Sequence, residues 1–284
     1  MPLPQERHFA SLSPHGFHRV VYRQWGDQDN PRVVVCVHGL TRNGRDFDAL
    51  AAAIADRFRV LCPDMPGRGD SEWLADPSDY TFPTYLTALT ALLAHAAVER
   101  CAWVGTSMGG LLGIVLAAQR NTPVVRLVVN DVGPVIEPTA LARIASYVGA
   151  DPRFESFADL EAHIRSVSAP FGALPDAQWE TLARTTARQL ADGSWKLKYD
   201  PGIALPFRAQ AAQTGDLWPL WDAITCPTLV LRGAESDLLA PATAAAMRTR
   251  GPKPRLIEFA GIGHAPMLLD AAQVAPVAAF LDAM

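Results

Sequence analysis

The run Val33-Val34-Val35-Cys36-Val37 is apolar at every position and stops at His38-Gly39. A strand with one wet face alternates apolar and polar residues, whereas a strand covered on both faces does not. A chain built on such a strand must therefore cover both sides of its sheet, and helices are the usual cover. Val124–Asn130 and Thr228–Arg232 read the same way.

Between these runs the spacing turns helical. Val20–Trp25 is a strand expectation, and Gly44–Asp56 is a helix with Phe47, Leu50 and Ile54 on one side. Phe58–Cys62 is the next strand, followed by a turn-rich loop from Pro63 to Ser71. Phe82–Val98 is a helix with Pro83 in its first turn, where proline is tolerated. Cys101–Val104 is a strand and Met108–Arg120 a helix. The alternation breaks after Pro134 and resumes near Trp218, with helices at Ala240–Arg250 and Asp270–Met284 around a strand at Leu256–Phe259. The expected architecture is α/β, a mostly parallel central sheet flanked by helices. Residues 1–134 and 218–284 form the core domain, and 135–217 are a helical insertion.

Composition narrows the class. Hydrophobic residues make up 49% of the 284, ample for a packed core and against a disordered chain. The net charge of −4 leaves no basic footprint, so nucleic acid is not an expected partner. Tyr80–Val98 and Cys101–Gln119 lack acidic and basic residues and imitate membrane spans in length. Pro83, His95 and four threonines interrupt the first, and Gly105, Ser107, Gly109 and Gly110 the second, so both read as buried elements of a sheet protein. The four cysteines form no C-x-x-C pair and sit in apolar runs, as buried thiols of a reducing compartment do. Met1 to Ser13 holds no apolar h-region, so a cytoplasmic location is expected.

Gly105-Thr106-Ser107-Met108-Gly109 is G-x-S-x-G, set between an expected buried strand and an expected helix. A sharp strand-to-helix turn there crowds the residues two before and two after the serine, which therefore have to be glycine. It also lifts the Ser107 hydroxyl above the sheet at the positive end of a helix. With these residues the chain resembles the α/β-hydrolase fold family, specifically its esterase-like members with an inserted cap. His38-Gly39 looks like the family's oxyanion loop. Asp64-Met65-Pro66-Gly67-Arg68-Gly69-Asp70-Ser71 looks like its D-x-P-G-x-G-x-S loop, and Gly263-His264 like the loop carrying its catalytic histidine. The order along the chain is the family's.

A serine hydroxyl needs a base at neutral pH. Of seven histidines, His264 has the loop context for it, flanked by Gly261, Gly263 and Pro266. Two aspartates are candidates for the acid that orients the imidazole. Asp237, in Gly233-Ala234-Glu235-Ser236-Asp237, holds the family's usual position and is favoured on the order Ser…Asp…His. Asp131 follows the strand ending at Asn130, and some family members take their acid there. The oxyanion hole needs two main-chain donors. Met108 supplies one as the residue after the serine, and the resemblance puts the other at Leu40. Arg42 stands close enough in sequence to meet a substrate carboxylate.

The implied activity is hydrolysis of a carboxylic ester through an acyl-serine, with a small-molecule ester and water as partners and no metal or organic cofactor. The resemblance also admits a C–C bond hydrolase of aromatic degradation. Those enzymes carry H-G-G-G-P-G, whereas this chain has His38-Gly39-Leu40-Thr41-Arg42-Asn43. Lactonases and thioesterases use the same machinery, and a non-catalytic ligand receptor on this fold is the reading from a different class.

Overall fold

A computed structural model describes residues 3–211 and 215–284. Its centre is an eight-stranded sheet. The strands are β1 (Gln5–Ser13), β2 (Gly16–Trp25), β3 (Val33–Val37), β4 (Arg59–Pro63), β5 (Cys101–Thr106), β6 (Val124–Asn130), β9 (Thr228–Gly233) and β10 (Arg255–Phe259). They lie in the order β1-β2-β4-β3-β5-β6-β9-β10. The β1–β2 hairpin runs antiparallel, and every pair from β4 to β10 is parallel. The α/β class and the mostly parallel sheet are as the apolar runs require.

Every residue of β3 is buried, and its side chains feed two different cores. Val33, Val35 and Val37 enter the core on one face, Val34 and Cys36 the core on the other. The first face is covered by α2 (Phe82–His95), α3 (Met108–Ala117) and α9 (Pro241–Met247), the second by α1 (Asp48–Ile54) and α10 (Ala271–Asp282). Each aliphatic side chain buried this way contributes roughly 1.5–3 kcal/mol of hydrophobic stabilisation. The two uncharged runs that imitate membrane spans are α2 and the β5–α3 unit. Among the described residues no helix is long and apolar enough to cross a membrane.

Two local differences from the sequence expectation have physical causes. Residues 5–13 form the edge strand β1, whose buried side chains are Phe9, Ser11 and Ser13 and whose other face, including Ala10 and Leu12, is exposed; no apolar run announces it. The helix expected from Gly44 begins as a 3-10 turn, Gly44–Phe47, because Asn43 caps it by accepting from the Arg45 amide, and only then becomes α1.

Between β6 and α8 (Trp218–Ala223) the sheet is interrupted by α4 (Pro138–Tyr147), α5 (Phe157–Val167), α6 (Asp176–Thr186), the short hairpin β7 (Ala187–Gln189) and β8 (Trp195–Leu197), and α7 (Ala204–Ala211). The helices α5 and α6 build a small core of their own from Leu160, Ile164, Trp179 and Leu182, which Met267 joins from the C-terminal segment. Trp179 and Trp195 therefore belong to this inserted core, while Trp221 is buried in the main one. The seam is polar and specific. The Gly69 amide donates to the Lys198 carbonyl at 2.8 Å, the Asp200 amide to the Gly67 carbonyl at 2.8 Å, and the Tyr80 hydroxyl to Asp200 at 2.6 Å.

Candidate active site

Ser107 sits at the turn between β5 and α3 with φ +54° and ψ −117°, a left-handed conformation that non-glycine residues rarely hold. The turn is tight enough to exclude side chains around it. A Cβ on Gly109 would stand 2.0 Å from the Val37 carbonyl oxygen, and one on Gly105 would stand 2.2 Å from the Gly109 carbonyl oxygen. Trp103, fully buried beneath α3, fastens the turn by donating its indole N–H to the Gly109 carbonyl at 3.0 Å.

His264 bridges the serine to a carboxylate. Its Nε2 lies 3.0 Å from Ser107 Oγ, and its Nδ1 lies 2.8 Å from Asp131 Oδ2. The carboxylate that reaches the imidazole is thus Asp131, and the preference for Asp237 is corrected. Asp131 follows β6, is fully buried and also holds a positive φ of +57°. Its Oδ1 accepts from the Gly233 amide at 2.9 Å, and its Oδ2 from the Ser236 hydroxyl at 2.7 Å. The loop after β9 therefore serves the acid through Gly233 and Ser236, while its own aspartate turns outward. Asp237 is held in a two-pronged pair by Arg143 of α4, at 2.6 and 2.9 Å. Burial pushes the Asp237 carboxyl up, but the hydrogen bonds and charge of Arg143 outweigh it and hold the group below the usual carboxylate range.

The loop of Leu40 is set by His38, expected as part of that loop, and by Arg68, to which the sequence expectation gave no role of its own. His38 is completely buried, with Nδ1 on the Gly39 carbonyl at 2.7 Å and Nε2 accepting from the Met65 amide at 2.9 Å. That pairing makes it the neutral tautomer with the proton on Nδ1. Burial pushes its pKa down to about 4. Arg68, also completely buried, donates Nε to the Leu40 carbonyl at 2.8 Å and Nη1 to the Pro66 carbonyl and the Tyr85 hydroxyl. Its position in the D-x-P-G-x-G-x-S loop was the one available signal. With the Leu40 carbonyl turned toward Arg68, the Leu40 amide is left over, and neither it nor the Met108 amide has a partner among the described residues.

Arg42 lines the site, but its fork is occupied. Nε and Nη2 hold Asp46 at 2.9 and 2.5 Å, and Nη1 donates to Thr186 at 3.0 Å, so it ties this loop to the end of α6. The expectation that it meets a substrate carboxylate is not supported by this arrangement.

Two cavities flank Ser107. One lies over His264 and includes Leu40, Arg42, Arg143, Tyr147 and Phe171. The other is apolar, lies beside Met108 and includes Leu40, Tyr85, Leu111, Ile136 and Phe207. Leu40 and Ile144 line both, so the two cavities are neighbours that share these side chains as a wall. Among the described residues no group of His, Cys, Asp and Glu is arranged to hold a metal ion.

Known proteins share this architecture. The profile of the alpha/beta hydrolase family matches residues 34–277. The 3-hydroxybutyrate-oligomer hydrolase of Cupriavidus necator is 47% identical, with 93% of each chain covered. An esterase of Mycobacterium tuberculosis is 29% identical over 80% of this chain and 74% of its own. The solved structure of an alpha/beta hydrolase from Novosphingobium aromaticivorans is 39% identical, covers both chains completely and superposes with a TM-score of 0.90. By fold, motif order and this likeness the chain belongs to the alpha/beta hydrolase family, and it is a hydrolase.

Proposed function

We propose that the protein cleaves carboxylic esters through an acyl-enzyme on Ser107, with His264 as general base and Asp131 as the acid that orients it. The single observation behind this reading is the continuous hydrogen-bonded chain from Ser107 Oγ through His264 to Asp131. The serine oxygen attacks the ester carbon and passes its proton to His264 Nε2. The oxygen that becomes negative is held by the amides of Leu40 and Met108. His264 then gives its proton to the departing alcohol, and a water deprotonated by the same nitrogen releases the acid.

The substrate class follows from the Cupriavidus necator relative, named for oligomers of 3-hydroxybutyrate. We assign this chain the same chemistry, oligoesters of a short hydroxy acid. The apolar cavity beside Met108 suits the acyl half. Residues 135–217 act as a cap over the site, and the free state of Cys36, Cys62, Cys101 and Cys226 supports a cytoplasmic location.

The test is release of 3-hydroxybutyrate from its linear trimer, followed by chromatography. Wild type releases it, Ser107→Ala does not, and a fluorophosphonate probe labels wild type at Ser107. Asp131→Asn lowers kcat by roughly 10³–10⁴-fold, as when a triad acid is lost elsewhere, and Asp237→Asn lowers it far less. The opposite ranking would return the acid to Asp237. Absence of both probe adduct and turnover in folded protein would sink the enzyme reading of this site.

A further inference from the structure

Among the described residues, the cavity over His264 is lined by two guanidinium groups, Arg42 and Arg143, which a pocket for a neutral ester does not need. Their situations differ. Arg42 and Asp46 are mostly buried, at 13% and 10% side-chain exposure, and Thr186 takes a third bond, so that pair is fixed in the wall. Arg143 and Asp237 are 35% and 43% exposed. Water can reach and screen this pair, and either partner can be exchanged for another ion without stranding a buried charge. Asp237 has no hydrogen bond to the Ser107–His264–Asp131 chain, so its release breaks none of that chain's bonds.

The helix α4 presents Arg143, Ile144 and Tyr147 to the cavity, three positions on one face. Tyr147 lines the same cavity and brings a neutral hydroxyl donor to it. The chemistry of the leaving group sets the side on which a charge should lie. His264 must protonate the departing alcohol, so the alcohol half of the ester occupies the cavity of His264. In an ester between two hydroxy acids, that alcohol half is the one ending in a free carboxylate.

We infer that Arg143 is a specificity-determining residue that binds the free carboxylate of a hydroxy-acid leaving group, giving up Asp237 to do so. A planar fork matches a carboxylate two-pronged, and Asp237 occupies that place. Asp237 is then a competitor that the right substrate displaces, and a neutral ester gains nothing from the exchange. The inference rests on the ester-hydrolase reading above.

The experiment compares two substrates, the linear dimer of 3-hydroxybutyrate and its terminal carboxamide, which is neutral and of the same size. The readout is the ratio of their kcat/KM values for cleavage of the internal ester. Wild type favours the acid. Arg143→Gln lowers the acid-to-amide ratio by roughly 10- to 100-fold, chiefly through KM of the acid, as expected for loss of a charge-assisted hydrogen-bonded pair. Arg143→Lys, which keeps the charge and loses the fork, falls between. Asp237→Asn raises the ratio, because the competing carboxylate is gone. An unchanged ratio in Arg143→Gln overturns the anchor while leaving the ester chemistry standing. Parallel losses on both substrates in Arg143→Gln and Asp237→Asn also overturn it, showing a cap latch only. Failure of wild type to cleave either substrate overturns the proposed substrate class, and the anchor with it.

Discussion

Ser236 reaches the carboxylate that its neighbour Asp237 does not. Its hydroxyl donates to Asp131 Oδ2 and accepts from the amides of Leu238 and Leu239 at 3.2 Å, so it is fixed from both sides. With Asp131 as the triad acid, Ser236 is a positioning residue for it. Ser236→Ala removes one of three donors on a buried carboxylate, and a hydrogen bond to a charged group is worth about 1.5–3 kcal/mol. The expected result is a fall in kcat of roughly tenfold or more with KM little changed, read on a short-chain nitrophenyl ester. A variant with wild-type kcat would remove Ser236 from this role. The same loop explains what the sequence could and could not reveal. Ser107 and His264 were legible because each sits in a local pattern with a mechanical cause. The choice between Asp131 and Asp237 was not. Both follow strands, and β6 and β9 are neighbours in the sheet, so both carboxylates lie near one histidine. The decision lies in the partner of Asp237, an arginine 94 positions away on an inserted helix, and no local pattern records that.

Among the elements, strands buried on both faces were legible because their composition is dictated by burial. The edge strand β1 was not, since half its side chains face water and its pairing is decided by the turn at Gly16. The loop from Asp64 to Ser71 was recognisable as a motif, but its purpose lies in a contact to another loop. Arg68 carries a buried positive charge into the space between them and holds the Leu40 carbonyl. Lysine keeps the charge but cannot bond the Leu40 carbonyl, the Pro66 carbonyl and the Tyr85 hydroxyl with one planar fork. Arg68→Lys should therefore fold and lose kcat by as much as roughly 10²–10³-fold, the cost of one oxyanion donor going astray. Circular dichroism establishes the fold and single-turnover acylation the defect. An acylation rate equal to that of wild type would mean that the Leu40 loop holds its own shape.

At the scale of the whole molecule, three histidines shift in one direction. His18, His38 and His163 are all held below the ordinary histidine value, in each case chiefly by burial. For His38 the value is about 4, because complete burial disfavours the charged imidazolium, and its unprotonated Nε2 accepts from the Met65 amide. A group depressed in the folded state binds fewer protons there than in the unfolded chain, so stability rises with pH across the interval between the two values. Its contribution is complete above the unfolded value of about 6.5 and is lost as pH falls toward the folded value of about 4. Over that interval His38 alone accounts for about 3 kcal/mol. Asp64 works the other way at the acid end. Burial holds its carboxyl above the usual range, so the fold tolerates protonation there more readily than the unfolded chain does. The loss should accordingly be steepest in the histidine range and ease below it. Urea midpoints measured between about pH 7 and about pH 4.5 should fall for wild type, and His38→Asn should start lower at neutral pH but fall less over the same range. An equal slope in the variant would move the origin of the acid sensitivity away from the Leu40 loop, to groups such as His18 on the β1–β2 hairpin.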